Sequence, residues 1–191
     1  MQKNRLIICG GAILVASCFA GLLPVLAGEY GDSGKLLPLL PKAKTSLADG
    51  IRQASAKAPE AAISAKFELD DNGKLSLSVY TAEKGVAVDA ELNVLKELSG
   101  SPESEKWTAE VEVFKDVEHV SRASQQLTVM ALSKLSLADI LKKAEKDQPG
   151  TAYSITPVVR DRKAQFVVLI AAKDKSVELS YDAMTGDPIK K

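Results

Sequence analysis

The chain has 191 residues, 46% of them hydrophobic, enough to build one ordinary domain or two small ones. Its 25 basic residues balance 25 acidic ones to a formal charge of +0, which leaves no electrostatic footprint for gripping a phosphate backbone. Nucleic acid is not expected as a partner.

Residues 1–27 read as an export signal: Lys3 and Arg5 come first, and no charge follows until Glu29. Pro24 breaks the apolar stretch, and Val25-Leu26-Ala27 supplies small residues for cleavage after Ala27. Two alternatives stand beside that reading. Val15-Ala16-Ser17-Cys18 resembles a lipobox, which would make Cys18 a lipidated N-terminus, and the apolar run is long enough for an uncleaved anchor. Each predicts an exported protein in the periplasm, the envelope or the medium. Both cysteines, Cys9 and Cys18, fall in the leader, so a chain cut at Ala27 has no disulfide. Removing Lys3 and Arg5 from the 25 basic residues leaves 23 against 25 acidic, a formal charge of −2.

Residues 28–44, with Gly28, Gly31, Gly34, Pro38 and Pro41, predict an extended spacer. Ser46-Leu47-Ala48-Asp49 then opens a helix in the manner of a capping box, with Leu47, Ile51, Ala54 and Ala58 as its apolar stripe and Pro59 as its stop. Alternation follows: Ile63, Ala65, Phe67 and Leu69 face one way, Ser64, Lys66 and Glu68 the other. A turn at Asp70-Asp71-Asn72-Gly73 leads to Leu75, Leu77 and Val79. A turn at Glu83-Lys84-Gly85 then leads to a third strand with Val86 and Val88.

The same order recurs from Ser136-Leu137-Ala138-Asp139, whose stripe is Leu137, Ile140, Leu141 and Ala144 and whose stop is Pro149. Three strands follow: Tyr153, Ile155 and Val159; Phe166, Val168 and Ile170; Val177, Leu179 and Tyr181. Their turns fall at 161–163 and 173–175. Pro157 marks an edge strand. Corresponding strands lie 90 residues apart before the first turn and 91 after it, and Asp89-Ala90-Glu91-Leu92-Asn93 matches Asp182-Ala183-Met184-Thr185-Gly186 as a closing turn.

A capped helix, three antiparallel strands and the closing Tyr181-Asp182-Ala183-Met184-Thr185-Gly186 resemble the PepSY domain, found in propeptides of thermolysin-type metallopeptidases and in many exported bacterial proteins. Leu92 and Asn93 depart from the signature in the first copy. The expectation is an α+β fold of two repeated units, each one helix packed on a three- to four-stranded antiparallel sheet. The divisions are a signal peptide (1–27), a spacer (28–44), a first unit (45–98), a connection (99–134) and a second unit (135–191). In the connection, Ser99-Gly100-Ser101-Pro102 reads as a loop, Trp107, Ala109, Val111 and Val113 as a strand, and Val120, Ser124, Leu127 and Ala131 as a helical stripe.

Chemistry is poorly supplied. His119 is the only histidine and lies between Glu118 and Val120, which reads as a solvated surface position. Asp70, Asn72 and Gly73 partly imitate a calcium loop, but Val79 stands where the bidentate glutamate belongs. Asp182 and Asp187 flank Gly186, where turn formation explains them. Trp107, Tyr153, Phe166 and Tyr181 fit apolar rows, and Lys142-Lys143 with Glu145-Lys146-Asp147 reads as a solvated helix face. No catalytic, cofactor or metal residue is therefore expected. The reading is a non-catalytic binding module whose sheet edges accept an extended peptide. The PepSY resemblance implies regulation of a separate exported peptidase, since the chain ends five residues after Gly186. The competing expectation is a small-ligand or divalent-cation sensor using Asp70, Asp71, Asp182 and Asp187.

Overall fold

The computed structural model of the protein describes residues 33–190. The expected leader, with Cys9, Cys18 and the position after Ala27, lies outside them. From Ser33 the expected spacer is instead helical, as one turn α1 (Ser33–Leu36) running into a 3₁₀ helix (Leu37–Lys42). Pro38 lies at the start of that 3₁₀ helix, where no donor is needed, and Leu36 and Leu40 are buried.

Both SLAD segments start helices, α2 (Leu47–Ala54) and α4 (Leu137–Asp147). Ser46 Oγ accepts from the Asp49 N–H at 3.1 Å, and Ser136 Oγ from the Asp139 N–H at 3.2 Å. In α4 the Asp139 carboxylate also accepts from the Ser136 N–H, completing a capping box. Ser136→Ala is expected to cost about 1 kcal/mol, read as a lowered urea midpoint. Helix α2 stops at Ala54, short of Pro59, which leaves Ala58 exposed outside the stripe.

The strands are β1 (Ala61–Leu69), β2 (Leu75–Ala82), β3 (Leu95–Gly100), β4 (Glu110–Val113), β5 (Thr151–Arg160), β6 (Lys163–Ala172) and β7 (Lys175–Asp182). They form a single seven-stranded antiparallel sheet in the order β4-β3-β2-β1-β5-β6-β7, where separate smaller sheets were expected. The described residues, 33–190, all fall in one compact unit. The expected boundary at residue 98 falls inside β3.

Strand β1 joins the two halves by pairing Ala65 with Ile155 and Lys66 with Ser154 of β5. Each of these strands bulges ninety residues apart, at Ile63 and at Tyr153. Pro157 is therefore in a central strand, contrary to expectation. The β1–β5 pairing is short and ends at Ile155, so the missing N–H of Pro157 breaks no bond to β1.

The register corrects other expectations. Ala65 pairs with Val79 and Ile155 with Val168, so the offset after the first turn falls to 89 instead of rising to 91. The third strand of the first half is not at Val86 and Val88, which lie in the β2–β3 connection, but at Leu95–Gly100, which takes in the expected loop residues Ser99 and Gly100. Val79 pairs with Leu98 as Val168 pairs with Leu179. The Asp89–Asn93 segment thus precedes β3 while Asp182–Gly186 follows β7, and the two closing turns are not equivalent. Asn93 is extended, with φ −97°, and its side chain ties the connection together by accepting from the Lys84 N–H and donating to Gly85 O and Val88 O. Gly186 does adopt the expected left-handed conformation, with φ 74°.

Helices α2 and α4 touch each other and cover one face of the sheet. That face carries Ala65, Phe67, Leu77, Val79, Ile155, Phe166, Val168 and Ile170, all buried. A Cβ on Gly50 of α2 would come within 2.5 Å of Leu77 Cδ2, so glycine lets the helix lie close against the strands. Helix α3 (Val117–Leu132) crosses the opposite face, capped by Asp116, whose Oδ1 accepts from the His119 N–H. Its buried side is Ala123, Gln126, Leu127, Val129 and Met130, rotated from the expected stripe; Val120 and Ala131 are exposed. The expected strand at Trp107–Val113 begins only at Glu110, and Trp107 is buried with its Nε1 donating to Gly100 O at 3.2 Å.

Candidate interaction surface

The face under α3 is polar because the outward rows of successive strands are polar. One rung runs Ser64, Tyr80, Glu97, Glu112 across β1 to β4; the next runs Lys66, Ser78, Ser99, Glu110. Helix α3 covers the first rung at Ser64, whose hydroxyl donates to Gln126 Oε1 at 2.9 Å, both residues being buried. Beside the helix, Lys66 Nζ lies 2.6 Å from Glu68 Oε2 and 5.8 Å from the Tyr80 ring centroid, and Ser78 Oγ donates to Glu68 Oε1 at 2.5 Å.

This setting shifts several ionisable groups. Burial, with the like charge of Glu68, raises the Glu97 carboxyl above the ordinary carboxylate range, against the opposing pull of its Ser78 hydrogen bond. Burial also acts to lower the Lys66 ammonium, but the charges of Glu68, Tyr80 and Glu97 outweigh it and hold that group above its usual value. Burial raises the Tyr80 phenol. Phe114 packs edge-on against Tyr80, with ring centroids 5.0 Å apart, and His119 stacks on Phe114 at 5.2 Å.

The outer border of this surface is β4. All four of its residues are exposed, Val111 to 60%. The Phe114 N–H donates to Leu95 O, so the alternation of the antiparallel ladder turns Glu110 and Glu112 toward β3 and leaves the N–H and C=O of Val111 and Val113 directed outward. The other sheet edge is partly closed: the C-terminal segment returns along β7, with the Asp182 N–H donating to Asp187 O and the Ile189 N–H to Ser180 O. On the face opposite the glutamates, Val111 lies beside Leu98 and Val113 beside Lys96, whose ammonium is 3.0 Å from both Glu60 and Glu83.

The residues weighed in the sequence are dispersed. His119 Nδ1 is 2.8 Å from Asp116 Oδ2, at the capped start of α3. Asp70 Oδ1 accepts from the N–H groups of Asn72 and Lys74, and Asp182 Oδ1 from those of Met184 and Thr185, so both carboxylates serve their own turns. Among the described residues no cluster of histidine, cysteine and acidic side chains has metal-holding geometry. Tyr153, Phe166 and Tyr181 are buried in the sheet, and the Tyr181 hydroxyl donates to Asp147 of α4 at 3.0 Å. Lys143, read as part of a solvated helix face, donates to Gly186 O and lies over the Tyr181 ring. The Lys66, Glu68, Ser78, Glu97 cluster was not singled out from the sequence. Its signal was the run of polar residues on the outward positions of β1 and β2.

No family model matches the chain, and no curated protein matches it. Among solved structures, that of a candidate lipoprotein from Clostridium difficile is similar over 78% of this chain and 92% of that chain, with 15% identity and a TM-score of 0.41. Among the described residues no helix is long and apolar enough to cross a membrane.

Proposed function

We propose that this chain is a non-catalytic, exported protein-binding module that takes an extended segment of its partner onto the free edge of β4. The observation that carries the reading is the exposed β4 ladder, whose outward N–H and C=O groups at Val111 and Val113 have the form that strand addition requires. Export rests on the uncharged run between Arg5 and Glu29 that ends in small residues at Ala27. The molecule is a duplicated PepSY-like unit in this reading, a view supported by the capped SLAD helices, the β1–β5 junction and the bulges ninety residues apart. The PepSY resemblance makes an exported peptidase the first partner to try.

Proline at position 111 removes a donor that faces outward and breaks no bond to β3, so the Val111→Pro chain keeps its circular dichroism and melting temperature. Titration against extracellular metallopeptidases, followed by inhibition and complex formation, is expected to give a complex with the natural chain and none with Val111→Pro. Absence of any complex or inhibition removes the peptidase version. A partner captured from the native envelope and retained equally by Val111→Pro removes the edge reading itself.

A further inference from the structure

We infer that the segment received by β4 carries basic residues at alternate positions, with apolar residues between them. This deepens the proposed function and rests on its edge reading. A strand added beyond β4 continues the existing rungs, so its side chains alternate between the two faces that β4 already separates. Residues of the incoming strand opposite Glu110 and Glu112 extend the rungs that hold Ser99 and Glu97. Glu97 is half-buried, and Glu68 lies further along the same face. Two basic side chains beside this border are already engaged: Lys66 with Glu68 at 2.6 Å and Arg122 with Glu118 at 2.8 Å. The exposed border is thus acidic, and a lysine or arginine set opposite Glu110 or Glu112 meets an opposite charge across the strand. Residues opposite Val111 and Val113 fall on the other face, beside two exposed valines at 60% and 43% and the half-buried Leu98, where β-branched or aromatic side chains pack.

The same register disfavours a second copy of this chain. Pairing β4 with itself sets glutamates among glutamates on one face, and like charges across a strand pair are destabilising.

The test uses three labelled peptides of equal length, alternating lysine with valine, serine with valine, and glutamate with valine, titrated into the full protein by fluorescence anisotropy. The lysine peptide is expected to bind about ten-fold more tightly than the serine peptide, and the glutamate peptide more weakly still. The preference shrinks as added salt screens the exposed charges. In the Glu110→Lys, Glu112→Lys double variant the order inverts, and Val111→Pro loses all three peptides. Equal affinities, or an order unmoved by the double variant, overturn the inference. If affinities are equal yet all vanish with Val111→Pro, the edge reading survives without the charge rule. If no peptide binds, the charge rule falls, and the partner experiment above decides the edge reading separately.

Discussion

Replacing Phe166 with alanine is expected to lower the stability of the fold by about 3–5 kcal/mol, a large share of the roughly 5–15 kcal/mol that holds a domain folded. Phe166 is fully buried in β6, a strand paired on both sides, and it shares rungs with Pro157 of β5 and Tyr181 of β7. Its neighbours are fixed from several directions. Tyr181 is held by its hydrogen bond to Asp147 and by Lys143, both from α4, so little can collapse into the space that a phenyl ring leaves. The loss therefore includes the cavity as well as the lost transfer energy. Phe166→Leu, which keeps most of the volume, should cost less than half as much. Val111→Ala, at an exposed edge position, should move stability by less than about 0.5 kcal/mol. Urea unfolding of the three variants, followed by tryptophan fluorescence and by circular dichroism together, checks the order. A Phe166→Ala midpoint close to that of Val111→Ala would mean that β6 is not the centre of the core.

What could be read from the sequence follows the range over which each feature is determined. The starts of α2 and α4 were legible because Ser46 with Asp49 and Ser136 with Asp139 make their capping bonds within three residues. The β5–β6 turn was legible for the same reason: Asp161 and Arg162 take positive φ between two strongly alternating runs. The third strand of the first half was misplaced because Val86 and Val88 alternate well locally. The ladder on β2 instead resumes at Leu95, after a connection tied by the Asn93 side chain, and no local pattern reports that choice. The face of α3 was misjudged because apolar spacing cannot anticipate that Gln126 turns inward to meet Ser64 of β1. The candidate surface was hidden for a related reason. Lys66, Glu68, Ser78 and Glu97 lie on three strands, and β4 is an edge only because of the strand order.

That cluster carries the second large effect. Lys66→Met keeps a chain of similar length over Tyr80 but removes the ammonium from beside Glu68, leaving the Glu68 and Glu97 carboxylates around the Ser78 hydroxyl without their cation. Breaking a fully buried pair in this way costs about 3–5 kcal/mol, and with the Lys66 and Glu68 side chains 25% and 33% exposed the expectation is nearer 2 kcal/mol at neutral pH. The pH dependence separates this from lost packing. The Glu97 carboxyl is raised in the folded state, so between the ordinary carboxylate range and that raised value the folded chain binds more protons than the unfolded one. Its contribution to stability is accordingly present at low pH and lost as pH rises through that window. Without Lys66 the repulsion between the two carboxylates grows, the loss on raising pH becomes steeper, and most of the lost stability is recovered near pH 4. Adding Glu97→Gln to Lys66→Met removes one of the two charges and should restore about 1 kcal/mol at pH 7 while flattening the profile. Urea midpoints of the natural chain, the single variant and the double variant between about pH 4 and pH 8 make the measurement. Parallel profiles would mean that Lys66 acts through packing against Tyr80 and not through its charge.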